Sequence, residues 1–140
     1  VQKGHGIAFA DFDIDGDQDI YAVMGGAVYG DIYQNVLFQN PGHGARWITL
    51  SLQGTRANRS AIGARIEVQV RMRDGSQRSI HRVVGSDGSF GASSLQQEIG
   101  LGDASEIVLI RIQWPSDSPP QTIRDLAMDR AYRIIEGREP

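Results

Sequence analysis

Five aspartates alternate through one nine-residue stretch, Asp11-Phe-Asp-Ile-Asp-Gly-Asp-Gln-Asp19. Five like charges in so short a segment repel one another, so the stretch is expected to gather around a cation. Numbered from Asp11, carboxylates fall at positions 1, 3, 5, 7 and 9, with Gly16 at position 6. Calcium takes about six to eight hard oxygen ligands, and a tight loop supplies them from alternate residues. Asp11, Asp13 and Asp15 offer side chains there, and Gly16 permits the sharp turn. Position 7 usually contributes its backbone carbonyl, which leaves the Asp17 carboxylate spare, and Asp19 closes the shell. Ca2+ is thus the expected cofactor, held by Asp11, Asp13, Asp15, Asp17 and Asp19. Magnesium keeps several waters and a strict octahedron, and fits less well. An EF-hand would place Glu at position 12 on an exiting helix. Position 12 here is Ala22, inside a strand-like run. The competing reading is a solvated acidic turn.

The flanks of the loop read as strands. Ile7, Phe9 and Ala10 lead in, Ile20-Tyr-Ala-Val-Met24 leads out, and Gly25-Gly26 ends the unit. A short strand, Val36-Leu-Phe38, precedes a Pro41-Gly42 turn, and a boundary is expected near Gly44. Period-two alternation dominates the remainder. Ile48, Leu50 and Leu52 share one face. Ile66, Val68, Val70 and Met72 are expected to point inward, with Glu67, Gln69, Arg71 and Arg73 toward solvent. Asp74-Gly75 makes a hairpin turn into a strand over residues 77–84. Glu106–Trp114 should bury Val108, Ile110, Ile112 and Trp114, and Gln121–Arg124 with Ala131–Glu136 form a last pair of strands. The fold class is all-β: a calcium-loop hairpin over residues 1–44, then a β-sandwich-like domain over 45–140. A sandwich is preferred to a partly open barrel.

Composition narrows the function classes. With 14 basic and 17 acidic residues the net charge is −3, and these totals give no sign of nucleic-acid binding. The chain has no cysteine, which removes disulfides, thiolate catalysis and Cys-based zinc sites. No apolar run approaches the roughly 18 residues of a membrane span. The sequence begins at Val1, and a piece of a longer protein is expected.

Gly6-Ile-Ala-Phe-Ala-Asp-Phe-Asp-Ile-Asp-Gly-Asp-Gln-Asp-Ile-Tyr21 resembles the FG-GAP (integrin-α-like) calcium repeat, part of a β-propeller blade. Asn58-Arg-Ser-Ala-Ile-Gly-Ala-Arg-Ile-Glu-Val68 resembles the core of the ASPIC/UnbV domain. Gly85–Gly91, Ile99–Ala104 and Ile112–Pro115 match its later blocks in order. In that family, which includes the cartilage acidic proteins, an FG-GAP propeller precedes the ASPIC/UnbV domain. The resemblance implies that residues 1–44 are the tail of a propeller and 45–140 the complete β-domain. It also implies a secreted, cell-surface or periplasmic parent. Only one repeat is present, so the hairpin must pack on the second domain, pair with another chain or stay partly exposed.

The functional expectation is a calcium-binding extracellular recognition or adhesion module without catalysis, with a protein or glycan ligand. The alternatives are an accessory domain of a secreted polysaccharide-acting enzyme and a structural cap on the propeller. Partners would include the rest of the parent propeller, and homodimerisation by strand pairing would follow from an unpaired edge. His81, Ser86 and Asp87 suggest a triad only superficially, since no Gly-x-Ser-x-Gly elbow surrounds any serine. Gly85-x-x-Gly88-x-x-Gly91 lacks dinucleotide spacing and reads as a loop able to offer backbone amides near Ser86, Ser89 and Ser93. Asn58-Arg59-Ser60 matches a glycosylation acceptor, but is expected to fix the turn before the Ile66 strand. Arg65, Arg71, Arg73, Arg78 and Arg82 form a possible basic stripe, with a solvated strand face as the default. Trp47 and Trp114 are assigned to the core. Tyr29 and Tyr33 are better placed to meet a ligand.

Overall fold

The computed structural model describes residues 4–26, 28–86, 88 and 92–140. Among these there are ten strands and no helix: β1 (Gly4–Ala10), β2 (Asp19–Met24), β3 (Val36–Phe38), β4 (Arg46–Gln53), β5 (Arg65–Met72), β6 (Gln77–Val83), β7 (Gln97–Gly102), β8 (Ala104–Gln113), β9 (Gln121–Ile123) and β10 (Arg130–Ile135). They form three open sheets ordered β1-β2-β3, β10-β4-β7 and β6-β5-β8-β9. The expected all-β class is observed.

The second and third sheets bury one shared core. Ile48, Leu50, Ile99 and Ile134 come from one sheet, and Ile66, Val68, Val70, Ile80, Ile110 and Ile112 from the other. The alternation read along β4 and β5 therefore sets the inner face, with Leu52 and Met72 packed at its margin. Along β8 the pattern slips. Gln69 pairs with Leu109 and Val70 with Ile107, so a β-bulge skips Val108. Ile107 takes the core position expected for Val108, which is only half-buried. A bulge inserts one extra residue into an otherwise strict alternation, and hydrophobicity does not reveal it when every candidate is apolar.

The last two strands form where expected, but they lie in different sheets. β9 adds to β8 in one sheet, while β10 runs parallel to β4 in the other. Two segments joined by a short connection cross the core instead of folding into a hairpin. Glu136, just beyond β10, holds this crossing in place. Its Oε2 accepts the backbone N–H groups of Thr55, Arg56 and Ala57, each at 2.8 Å, and its Oε1 accepts the Ser116 and Ser118 hydroxyls at 2.9 and 3.2 Å. Burial acts to raise the pKa of this carboxyl. The Ala57 and Thr55 amides, the Ser116 hydroxyl and the Arg56 amide outweigh it and bring the value down to about 2.

The turn before β5 is built as the sequence suggests. Asn58 Nδ2 donates to Ile62 O at 2.8 Å, and Ile62 N–H donates to Asn58 Oδ1 at 2.9 Å. The basic stripe does not form. Register places Arg65 and Arg71 on the outer face of β5, whereas Arg78 and Arg82 pair with the inward-facing Val70 and Ile66. Arg71 is bonded to Glu106 at 2.6 Å.

The first sheet is of a different kind, because both its faces are apolar. Cross-strand partners put Ile7, Phe9, Ile20, Ala22, Val36 and Phe38 on one side and Ala8, Tyr21, Val23 and Leu37 on the other. Ile7, Phe9 and Phe38 are exposed on the first side, and Val23 and Leu37 on the second.

Candidate metal centre

The Asp-rich loop connects β1 to β2, and its own carboxylates shape it. Asp11 Oδ1 accepts the Asp15 N–H and Asp11 Oδ2 the Gly16 N–H, both at 3.0 Å, while Asp15 Oδ1 accepts the Asp17 N–H at 3.1 Å. Two residues turn the chain through positive φ, Gly16 at 97° and Ile14 at 61°. A β-branched residue is disfavoured there, so the surrounding bonds must over-determine the turn.

The five predicted ligands separate into three kinds. Asp11, Asp13 and Asp15 converge, each with a carboxylate oxygen within 4.8 Å of the others. Two oxygens on one calcium lie at most about 5 Å apart, twice a Ca–O distance of roughly 2.5 Å, so these three fit a single ion. Asp17 is half-buried, and its Oδ1 is enclosed with no hydrogen-bond partner. Burial, then the charges of Asp15, Asp19, Asp13 and Asp11, push the Asp17 carboxyl above its usual range. Asp19 is buried and serves as a strut: Oδ2 accepts the Phe12 N–H at 3.0 Å and Oδ1 the Asn40 N–H at 2.8 Å.

Several residues around the loop carry no motif in the sequence. The Gln39 side-chain amide donates to Asp13 Oδ2, and Gln18 Nε2 reaches Glu98 Oε2 on β7 at 2.8 Å. Trp47 is half-buried against the loop, not packed in the core. Trp114 is in the core as expected, with its indole Nε1 donating to Gln121 Oε1 at 3.0 Å. The Asn40-Pro41-Gly42 turn is the one sequence signal that could have marked the second wall of the site. Between the loop and the sandwich lies a cleft of about 640 Å³ lined in part by Asp17, His43, Arg46, Trp47, Arg82 and Glu98.

The remaining candidates gather less. His81 is an exposed residue of β6, and Asp87, Ser89, Phe90 and Gly91 of the 85–94 loop lie outside the described residues. Tyr29 is fully exposed and Tyr33 exposed. Among the described residues no helix is long and apolar enough to cross a membrane.

Fold and loop together define a class: an all-β chain in which an Asp-rich hairpin rests its tip on a two-sheet sandwich. The family model described as ASPIC and UnbV matches residues 54–140, more than half of the sequence, and the chain belongs to that family. The match begins one residue after β4, so β4 and the hairpin lie outside it. No curated protein matches the chain.

Proposed function

We propose that the chain is a calcium-binding module of an extracellular recognition protein and has no catalytic role of its own. The observation that carries the metal reading is the convergence of the Asp11, Asp13 and Asp15 carboxylates, each with an oxygen within 4.8 Å of the others; Asp17 Oδ1, enclosed and without a hydrogen-bond partner, lies in the same loop. A buried acceptor without a donor is costly, and a cation would satisfy it while cancelling the repulsion among the five aspartates. Asp11, Asp13 and Asp15 would hold the ion, Asp17 would turn its unpartnered oxygen toward it as a fourth ligand, and Asp19 braces the turn. Bound there, the ion would fix the hairpin that carries neighbouring loops such as Tyr29 and Tyr33.

The two-faced apolar sheet supports a second element of this reading, that β1–β3 belong to an FG-GAP propeller blade. A sheet covered on one side only would be polar on the other. Exposed Phe9 and Phe38 on one face and Leu37 and Val23 on the other call for a neighbour on each side, as in the radial stacking of a propeller. Domains of this family are typically found with FG-GAP repeats in extracellular proteins. The same observation favours the cap reading, in which the sandwich seals the end of that propeller.

Thermal unfolding with calcium, with magnesium and with EDTA tests the metal reading. Calcium at about a hundred times its Kd should stabilise the protein by roughly 2.7 kcal/mol. The Asp13→Ala/Asp15→Ala double variant should lose this gain. Absence of any shift at millimolar calcium would remove the reading. Glycan and protein arrays probed in calcium buffer then test recognition.

A further inference from the structure

We infer that the sandwich completes the cation site, with Trp47 acting as a positioning residue for the loop. This rests on the calcium reading above, and concerns why the loop has its shape. A Cβ added to Gly16 would fall 2.1 Å from Trp47 Nε1, 2.3 Å from Cε2 and 2.6 Å from Cδ1. The indole therefore occupies the space a side chain at position 16 would need. The Gly16 N–H is the group that anchors Asp11 Oδ2. Trp47 thus backs the peptide that orients the first ligand.

Trp47 is itself fixed. Its N–H donates to Asp129 Oδ1 at 3.1 Å, and its carbonyl accepts the Asp129 N–H at 2.7 Å. Arg46 clamps the same aspartate at 2.8 Å. Asp129 directly precedes β10, so the floor under Gly16 is bound into the β4–β10 pairing.

The opposite wall comes from the segment after β3. Gln39 bonds Asp13, and Asn40 bonds Asp19. Gly42 lies so close to Asp17 that a Cβ there would be 3.0 Å from its Oδ2. Asp11 is thus oriented through a peptide backed from outside the loop, Asp13 and Asp19 accept hydrogen bonds from beyond it, and the missing side chain of Gly42 leaves room for the Asp17 carboxylate. A site assembled in this way binds without the cost of ordering a free loop, and its affinity depends on residues that donate no oxygen.

Calcium titration calorimetry on the whole chain, paired with tryptophan emission, reads this directly. The core Trp114 serves as the insensitive reference. Saturating calcium should change the emission of the wild-type chain, and Trp47→Phe should abolish that change. Without removing any ligand, Trp47→Ala should weaken calcium by about tenfold and Trp47→Phe by about threefold, as preorganisation is lost. Urea unfolding in EDTA establishes that each variant is folded, and Trp47→Phe, which keeps a ring, carries the test if Trp47→Ala does not fold. Wild-type affinity in the folded variants, or an unchanged wild-type emission at saturation, overturns the inference while leaving the calcium reading intact. No calcium uptake by the wild-type chain overturns both.

Discussion

Asp19 accepts the backbone N–H of Asn40 at 2.8 Å, joining the start of β2 to the linker that leaves β3. Its other oxygen takes the Phe12 N–H, so one buried carboxylate closes the loop and ties it to the linker. Asp13, by contrast, is exposed. In EDTA, Asp19→Ala should therefore cost about 2–4 kcal/mol, since two charge-assisted bonds are lost. Asp13→Ala should stay within about 0.5 kcal/mol of wild type, as for most surface changes. Urea midpoints of the two variants make the comparison.

Asp17 should respond in opposite directions with and without metal. Burial and four neighbouring carboxylates disfavour its ionised form in the folded chain. Replacing it by a neutral isostere relieves that repulsion. Asp17→Asn should thus raise the urea midpoint in EDTA, yet weaken calcium roughly tenfold through loss of one charged hard ligand. An equal change under both conditions would count against a ligand role.

Glu136 governs part of the acid limb of stability. Its carboxyl lies near 2 in the fold against 4.5 in an open chain. A depressed carboxyl contributes fully above the open-chain value, and the contribution is lost as pH falls from about 4.5 toward 2. Glu136→Gln should lose about 2–3 kcal/mol at neutral pH and show a shallower decline across that window. The slope should not vanish, because Glu67, bonded first by the Gln69 amide, is also held low. Urea unfolding at stepped pH measures both effects.

At Gly54, unlike Gly16 with its positive φ, space alone decides the residue. A Cβ there would lie 2.2 Å from Asn58 O and 2.8 Å from Ala57 O, both backbone atoms. Gly54→Ala must push apart the turn that delivers three amides to Glu136, at a cost of about 3 kcal/mol. Differential scanning calorimetry should show the lower melting temperature.

The apolar faces of the first sheet should make the isolated chain bind hydrophobic dyes and self-associate. Phe9→Ser with Phe38→Ser, both exposed on the same face, should reduce dye emission and shift light scattering toward the monomer. The sandwich should keep its unfolding midpoint.

What was legible in the sequence is what repeats with a fixed period. Alternation placed the inner faces of β4 and β5, and the Asp spacing marked the loop. Val108 escaped because a bulge changes phase within a wholly apolar run. Trp47 reads as a core residue because a tryptophan's bulk does not say which surface it covers, yet it lies outside the core cluster. Its partner is a glycine, whose contribution is an absent side chain. Asp19 reads as one more loop ligand and Glu136 as an ordinary acidic residue until the fold brings backbone amides onto them. The separation of Arg65 and Arg71 from Arg78 and Arg82 depends on hairpin register, which a count of charges does not contain.

The parallel pairing of β10 with β4 has a consequence for biosynthesis. Arg130 lies beside Ile48 and Ile135 beside Gln53. The ribosome must therefore add every strand from β5 to β9 after β4 before this sheet can acquire its last strand. Contacts so remote in sequence slow folding, and β4 must wait with one edge open. The floor beneath Gly16 belongs to that same pairing, so the Asp-rich loop, made before β4, gains its full support only once β10 has been added.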